Sequence, residues 1–507
     1  MIRSLIQIAP NLVSAAPWEA PIATPEVALP DVLDLTSKKA VTELLQGGER
    51  PAAVDVATKK AGPQGPQPGQ VTATSPKPAN ESVTKPLGAA ARAEGQRAIE
   101  QLAVAPDPTH PYAATQEQAR TELRALGITG ETSNRIHVSD VEYGHGGEVM
   151  RTAAGKTSLI SGADLSINAF DASIADVRRF ASPEQAARVE ALRKQAPGKT
   201  IDGIAATAAN RLEASVVERT ARLGVINDEA ARLNDGKKTF VNMSYGLNAE
   251  NASQGMAVQI ATAKPGTEAY ERATKLLGHP PRTDTNPFQG VRVHPEDLSK
   301  IQQEIAIPAL NKQLEKPEFQ ARLSAAKSGL EAQVARGREH GVMVFAAAGN
   351  EGDSAARHST VDNSVSTADS VRGIVSVGAV DIGRAERGDE RVADFSSDGK
   401  ISLSAPGVRI PVGMGFGDKG PFAADVSGTS YASPHAMQVA ALMSSANPKL
   451  TVDQIERLMT DPRVVQDLPG TTRDGAGLID PVNAALVARN PNITAAEIAR
   501  LRASVQK

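Results

Sequence analysis

From about Gly127 onward, short apolar runs alternate with stretches of helical period. The runs Arg135–Asp140, Asp164–Phe170, Thr239–Ser244, Val342–Ala347 and Ile374–Val380 carry β-branched and other apolar residues. Some are apolar at successive positions, as in Val342-Met-Val-Phe-Ala, the pattern of a strand buried on both faces. The stretches His145–Ala154, Ile204–Leu223, Phe319–His340 and Thr429–Ser445 space their apolar residues as helices do. The alternation predicts an α/β fold, a parallel sheet covered by helices on both faces.

The chain before this region has a different texture. Gly62-Pro-Gln-Gly-Pro-Gln-Pro-Gly-Gln70 and Thr74-Ser-Pro-Lys-Pro-Ala-Asn80 are rich in Pro, Gly, Gln and Ser and show no period. Such segments bury too little apolar surface to offset chain entropy, so residues 1–114 are expected to form a largely flexible extension and a possible propeptide. Two short amphipathic helices, Leu87–Val104 and Thr115–Leu126, lead toward the main domain, expected over 115–490, with a C-terminal helix or tail over 491–507.

Composition narrows the function classes. The 507 residues include no cysteine, which removes disulfides, thiolate metal sites and cysteine nucleophiles. A net charge of -3 and 3% aromatic residues argue against a nucleic-acid partner. No apolar run is long enough to span a bilayer. Gln7, Pro10 and Asn11 interrupt the apolar stretch that a conventional signal peptide needs. Secretion by another route is the expectation, with a cytoplasmic location as the alternative, and the protein is expected to be a monomer.

The candidate chemistry begins at Ser430, in Ser427-Gly-Thr-Ser-Tyr-Ala-Ser-Pro434, immediately before a helical run. A serine in a first helical turn lies beside backbone N–H groups without helical partners, which can stabilise an oxyanion. The same position equally suits a helix cap. Of the eight histidines only His435 follows Ser430, five residues on in the same helix, so a base must come from upstream. His145, flanked by glycines in Tyr143-Gly-His-Gly-Gly147, is the candidate, although alone it also reads as a surface or capping residue. Asp140 ends a predicted strand five residues earlier, within about 17 Å of extended chain. A carboxylate there can orient an imidazole, or simply terminate the strand in a turn. Asn350, in Val344-Phe-Ala-Ala-Ala-Gly-Asn350, places an amide donor at another strand end, where Gly-Asn is also an ordinary turn.

Taken together and in this order, these segments resemble the subtilisin family of serine endopeptidases. The nucleophile motif Ser427–His435 is similar nearly residue for residue, and Ala347-Ala-Gly-Asn-Glu-Gly352 and Asn242-Met-Ser-Tyr-Gly246 resemble two further family segments. The resemblance spans roughly Gly127 to Ala485. It implies Asp140, His145 and Ser430 as a catalytic triad and Asn350 as oxyanion donor. It also implies that Ser244, Tyr245 and Gly246 on one side, and Ala346, Ala347, Ala348 and Gly349 on the other, flank an extended peptide. Protein or peptide substrates follow, with an inactive peptide- or partner-binding protein as the alternative. No cofactor is identified, and calcium enters by resemblance only, since no Asp-rich ligand loop is visible.

The chain departs from the family at several points. Val141 and Glu142 follow Asp140 in place of a small hydroxyl residue and glycine, and His145-Gly-Gly-Glu-Val-Met-Arg151 replaces His-Gly-Thr-His-Val-Ala-Gly. The link from Asp140 to His145 is short. The span between Gly246 and Asn350 is long and contains an insertion, about 247–316, with helices expected over Ala269–Leu277 and Pro295–Leu314. This insertion is expected either to shape the cleft or to decorate the periphery.

Overall fold

The computed structural model describes residues 86–505, except 102–105, 141–142, 170–171, 197, 246–247, 287–289, 353–370, 383–389, 398–399, 418–419, 469–470 and 472. Residues 1–85 of the expected extension, the Pro-rich stretches among them, therefore lie outside the described residues, while most of 86–114 is described. Among the described residues two helices, α1 (Ala89–Gln101) and α2 (Pro111–Ala125), precede the first strand, β1 (Arg135–Ser139). Both pack on the main body, α1 against strand β2 (Asp164–Asn168) and the helix that follows β1. The Leu87 N–H donates to Glu229 Oε2 at 2.8 Å, so packed residues reach back beyond residue 115.

Further along the chain come β3 (Thr239–Asn242), β4 (Val342–Ala347), β5 (Ile374–Asp381) and the short β6 (Arg391–Val392). They are followed by β7 (Leu403–Pro406), β8 (Val465–Gln466) and β9 (Leu478–Ile479). The central sheet runs β2-β1-β3-β4-β5-β7-β9-β8. All its pairings from β2 to β9 are parallel, while β8 and β6 pair antiparallel at the margins. Alternation along β4 shows why its sequence is apolar throughout. Val342, Val344 and Ala346 enter one core cluster, and Met343 and Phe345 enter the other.

The first cluster lies under α3 (Ile201–Leu233), α4 (Ala249–Ala261) and α5 (Pro317–Glu339). The second lies under the helices Tyr143–Ala154, Thr429–Ala446 and Pro481–Arg489. The expected three-layer α/β architecture is thus observed. Helices at Glu268–Leu277, Pro295–Ile301 and Ile307–Leu314, joined in part by a π-helical turn at Gln302–Ala306, occupy the insertion, together with the hairpin Thr283–Asn286 and Gly290–Val293. Ala257, Ile260, Ile301 and Leu310 of this insertion are fully buried in the first cluster, so it extends the core.

Sheet order places the site. From β1 the chain moves outward to β2, then returns to lay β3 on the other side of β1. Such a reversal opens a crevice at the carboxyl ends of the two strands, where doubly wound sheets hold their ligands. Asp140 follows β1 at this point and Ser244 follows β3. Local periodicity predicts the strands here, but the reversal emerges only from their pairing.

Candidate active site

Asp140 is fully buried and its backbone is held on both sides. Its N–H donates to the Asn168 carbonyl at 2.9 Å, and its carbonyl accepts from Arg222 Nη1 at 2.7 Å. The side chain is turned to His145, whose Nδ1 lies 2.7 Å from Asp140 Oδ2. His145 lies in the first turn of the helix Tyr143–Ala154 and remains partly exposed. Gly146 allows this approach, because a Cβ added there would stand 3.1 Å from Asp140 Cβ. With Nδ1 facing a carboxylate, the neutral ring carries its proton on Nδ1 and leaves Nε2 as a proton acceptor.

Ser430 lies in the first turn of the helix Thr429–Ala446, and its Oγ donates to the Ser244 carbonyl at 3.3 Å. The Ser244 segment is held by side chains distant in sequence. Ser433 Oγ donates to Asn242 Oδ1 at 2.6 Å, and Asn242 Nδ2 donates to Ser244 Oγ at 2.8 Å. The next segment residue, Tyr245, packs beneath two guanidinium groups, Arg222 at 4.7 Å and Arg219 at 5.1 Å from its ring centre. Gly246 lies outside the described residues.

Asn350 joins the nucleophile helix through its side chain. Its Oδ1 accepts from both the N–H and the Oγ of Thr429 at 2.8 Å. A backbone N–H can only donate, so these bonds identify the oxygen and leave Nδ2 as the group able to donate elsewhere. Gly349 before it adopts φ +110, a conformation open to glycine, and a Cβ there would meet Glu351 Oε2 at 2.3 Å. Glu351 accepts from Ser397 Oγ at 2.7 Å and from Asn251 Nδ2 at 3.2 Å, so the insertion helix α4 touches the residue after Asn350. Ala346 and Ala348 are buried, and Ala347 is the one of the three that is partly exposed.

The remaining histidines near these elements have structural surroundings. His435 is buried against Tyr112 and Gln116 of α2, and burial pushes its pKa down to about 4. His137, within β1, bonds Ser166 at 2.8 Å and is pushed down to about 3 by burial and by the nearby Arg222 charge. Both are neutral at physiological pH. Among the described residues no group of three or more His, Cys, Asp or Glu is placed to hold a metal. No helix among them is long and apolar enough to cross a membrane.

Sequence reasoning assigns no role to Arg222, Asn242, Ser433, Ser397, Glu148 or Tyr431. Asn242, Tyr431 and Ser433 lie in segments that resemble the family, and Glu148 stands out as a departure from its histidine motif.

A buried carboxylate, an imidazole bonded to it and a serine at a helix start thus stand near the carboxyl ends of strands in a parallel sheet. The sequence model of the subtilase family matches residues 128–468, more than half of the chain, and the chain belongs to that family. It is 33% identical over 135 residues to the cell wall-associated protease of Bacillus subtilis (strain 168), covering 26% of this chain and 13% of that protein. It is 34% identical over 115 residues to Bacillopeptidase F of the same organism, covering 20% of this chain and 7% of the other. The chain thus spans only a small part of the length of these curated relatives. The MycP3 protease from the type VII (ESX-3) secretion system is similar at 18% identity and a TM-score of 0.39, covering 73% of this chain and 87% of that one.

Proposed function

We propose that the protein is a serine endopeptidase in which Ser430 attacks the peptide carbonyl, His145 transfers the proton and Asp140 orients His145. The observation that carries this reading is the 2.7 Å contact of His145 Nδ1 with the fully buried Asp140 carboxylate. It leaves Nε2 able to accept the Ser430 proton once Oγ rotates away from the Ser244 carbonyl; such bonds tighten when substrate binds. Asn350 Nδ2 and the Ser430 N–H donate to the oxyanion of the tetrahedral intermediate. An extended substrate lies along Ser244–Gly246 and against Ala346–Gly349. The insertion shapes the cleft through the Asn251–Glu351 contact.

A serine-directed phosphonyl reagent tests the assignment directly. It is expected to label Ser430 and, in proportion, to abolish casein hydrolysis. Folded protein that leaves casein intact and Ser430 unlabelled would instead favour the inactive peptide-binding alternative.

Asn350→Ala is expected to lower kcat about 10²–10³-fold with little change in KM. That magnitude is the one established for the corresponding amide in subtilisin, of the same family, and is carried over from it. Asn350→Asp keeps an acceptor for Thr429 but replaces the donor with a negative charge, and is expected to fall at least as far. Steady-state kinetics on a chromogenic peptide separate these outcomes; an Asn350→Asp enzyme with near-normal kcat would remove the oxyanion role.

A further inference from the structure

Residue 148 departs from the family's histidine motif and residue 431 directly follows the nucleophile, yet neither takes part in the proton transfers of the proposed reaction. In the structure they meet. Tyr431 Oη donates to Glu148 Oε2 at 2.6 Å, across 283 residues of chain. Glu148 stands three residues after His145, on the same side of its helix. The Tyr431 ring packs on the His145 imidazole at 60°, with centroids 6.0 Å apart. One hydrogen bond therefore joins the first turn of the helix bearing the nucleophile to the helix bearing the base.

We propose that the Tyr431–Glu148 hydrogen bond positions His145 against Ser430, with both residues acting through the imidazole rather than on substrate. This inference rests on the peptidase reading above. Tyr431 is largely buried, and burial followed by the Glu148 charge raises its phenol far above the working pH range, so it stays a donor. Arg151, one turn beyond Glu148, is drawn elsewhere: its Nε donates to the Val412 carbonyl at 2.6 Å and its Nη1 to the Ala98 carbonyl at 3.2 Å. The titratable groups shown in contact with His145 are Asp140 at Nδ1 and the protonated Tyr431 against the ring, with Glu148 bonded to Tyr431. The short link between Asp140 and His145 leaves the helix orientation to packing, and this bond supplies a directional constraint where the family has a second histidine.

Tyr431→Phe keeps the ring against His145 and removes only the hydroxyl. It is expected to lower kcat about tenfold, comparable to losing one charge-assisted hydrogen bond, with KM within about twofold of wild type. Glu148→Gln keeps an oxygen acceptor and should retain most of kcat above about pH 8. Its lost negative charge makes the imidazolium less favourable, so the acid limb of kcat/KM moves to lower pH. Combining Tyr431→Phe with Glu148→Ala should cost no more than the worse single change. Wild-type kcat in Tyr431→Phe, strictly additive losses, or an effect confined to KM would overturn the proposal.

Should the wild type leave casein and peptides uncleaved, the peptidase reading fails by itself. The positioning role is then decided by the ¹H–¹⁵N signals of the His145 ring. A shift in Tyr431→Phe sustains it and unchanged signals overturn it.

Discussion

Ser430→Ala is expected to reduce kcat about 10⁶-fold while leaving the fold intact. The magnitude is the one known for removing the nucleophile of subtilisin, of the same family. The physical reason is specific to this site. The neighbouring hydroxyls in the first turn of the Ser430 helix are engaged elsewhere, Thr429 with Asn350 and Tyr431 with Glu148, so alanine at 430 leaves His145 without its proton donor, and no cysteine exists in the chain to substitute. Alanine removes one partly buried bond, to the Ser244 carbonyl at 3.3 Å. The stability change should therefore stay within about 0.5 kcal/mol. Casein hydrolysis and a thermal melt of both proteins provide the comparison. Equal proteolysis by the variant would end the assignment of Ser430, and a lowered melting temperature would attribute the loss to unfolding.

Asp140→Asn is expected to lower kcat about 10⁴-fold, with KM changed by no more than a few-fold. Asparagine has nearly the same shape, and the main chain of residue 140 is held by its N–H donating to the Asn168 carbonyl and its carbonyl accepting from the Arg222 guanidinium, which the substitution leaves in place. What changes is the partner of His145 Nδ1. An amide nitrogen there would force Nδ1 to accept, placing the ring proton on Nε2, where the base must be empty. An amide oxygen keeps the tautomer but no longer offsets the positive imidazolium in the transition state. Either way the Ser430 labelling rate should fall in parallel with kcat, because both need the base. A loss of less than about tenfold, with labelling unchanged, would show that Asp140 does not serve His145.

The parts of this site that are legible in the sequence are those encoded by neighbours. A glycine before a serine at the start of a helical run marks Ser430, and an apolar run ending in Gly-Asn marks Asn350. The five-residue spacing from Asp140 to His145 allows their contact without requiring it. The insertion is legible as helices, but not its burial in the first core cluster or its contact at Glu351. The polar contacts that steady the site are not legible, since each joins residues that no local pattern relates. Arg222 reaches the Asp140 carbonyl across 82 residues, Ser433 reaches Asn242 across 191, and Ser397 reaches Glu351 across 46.

By itself, then, the sequence determined the α/β class, the candidate nucleophile and the upstream origin of its base. Those properties follow from period, local chemistry and chain order. Only the tertiary structure shows that the Asp140 carboxylate meets the His145 imidazole, that the insertion enters the first core cluster and that Tyr431 and Glu148 tie the helices of Ser430 and His145 together. Strand order adds the neighbouring segment, because the reversal between β1 and β3 lays the strand before Ser244 beside the strand before Asp140, which the chain itself keeps far apart.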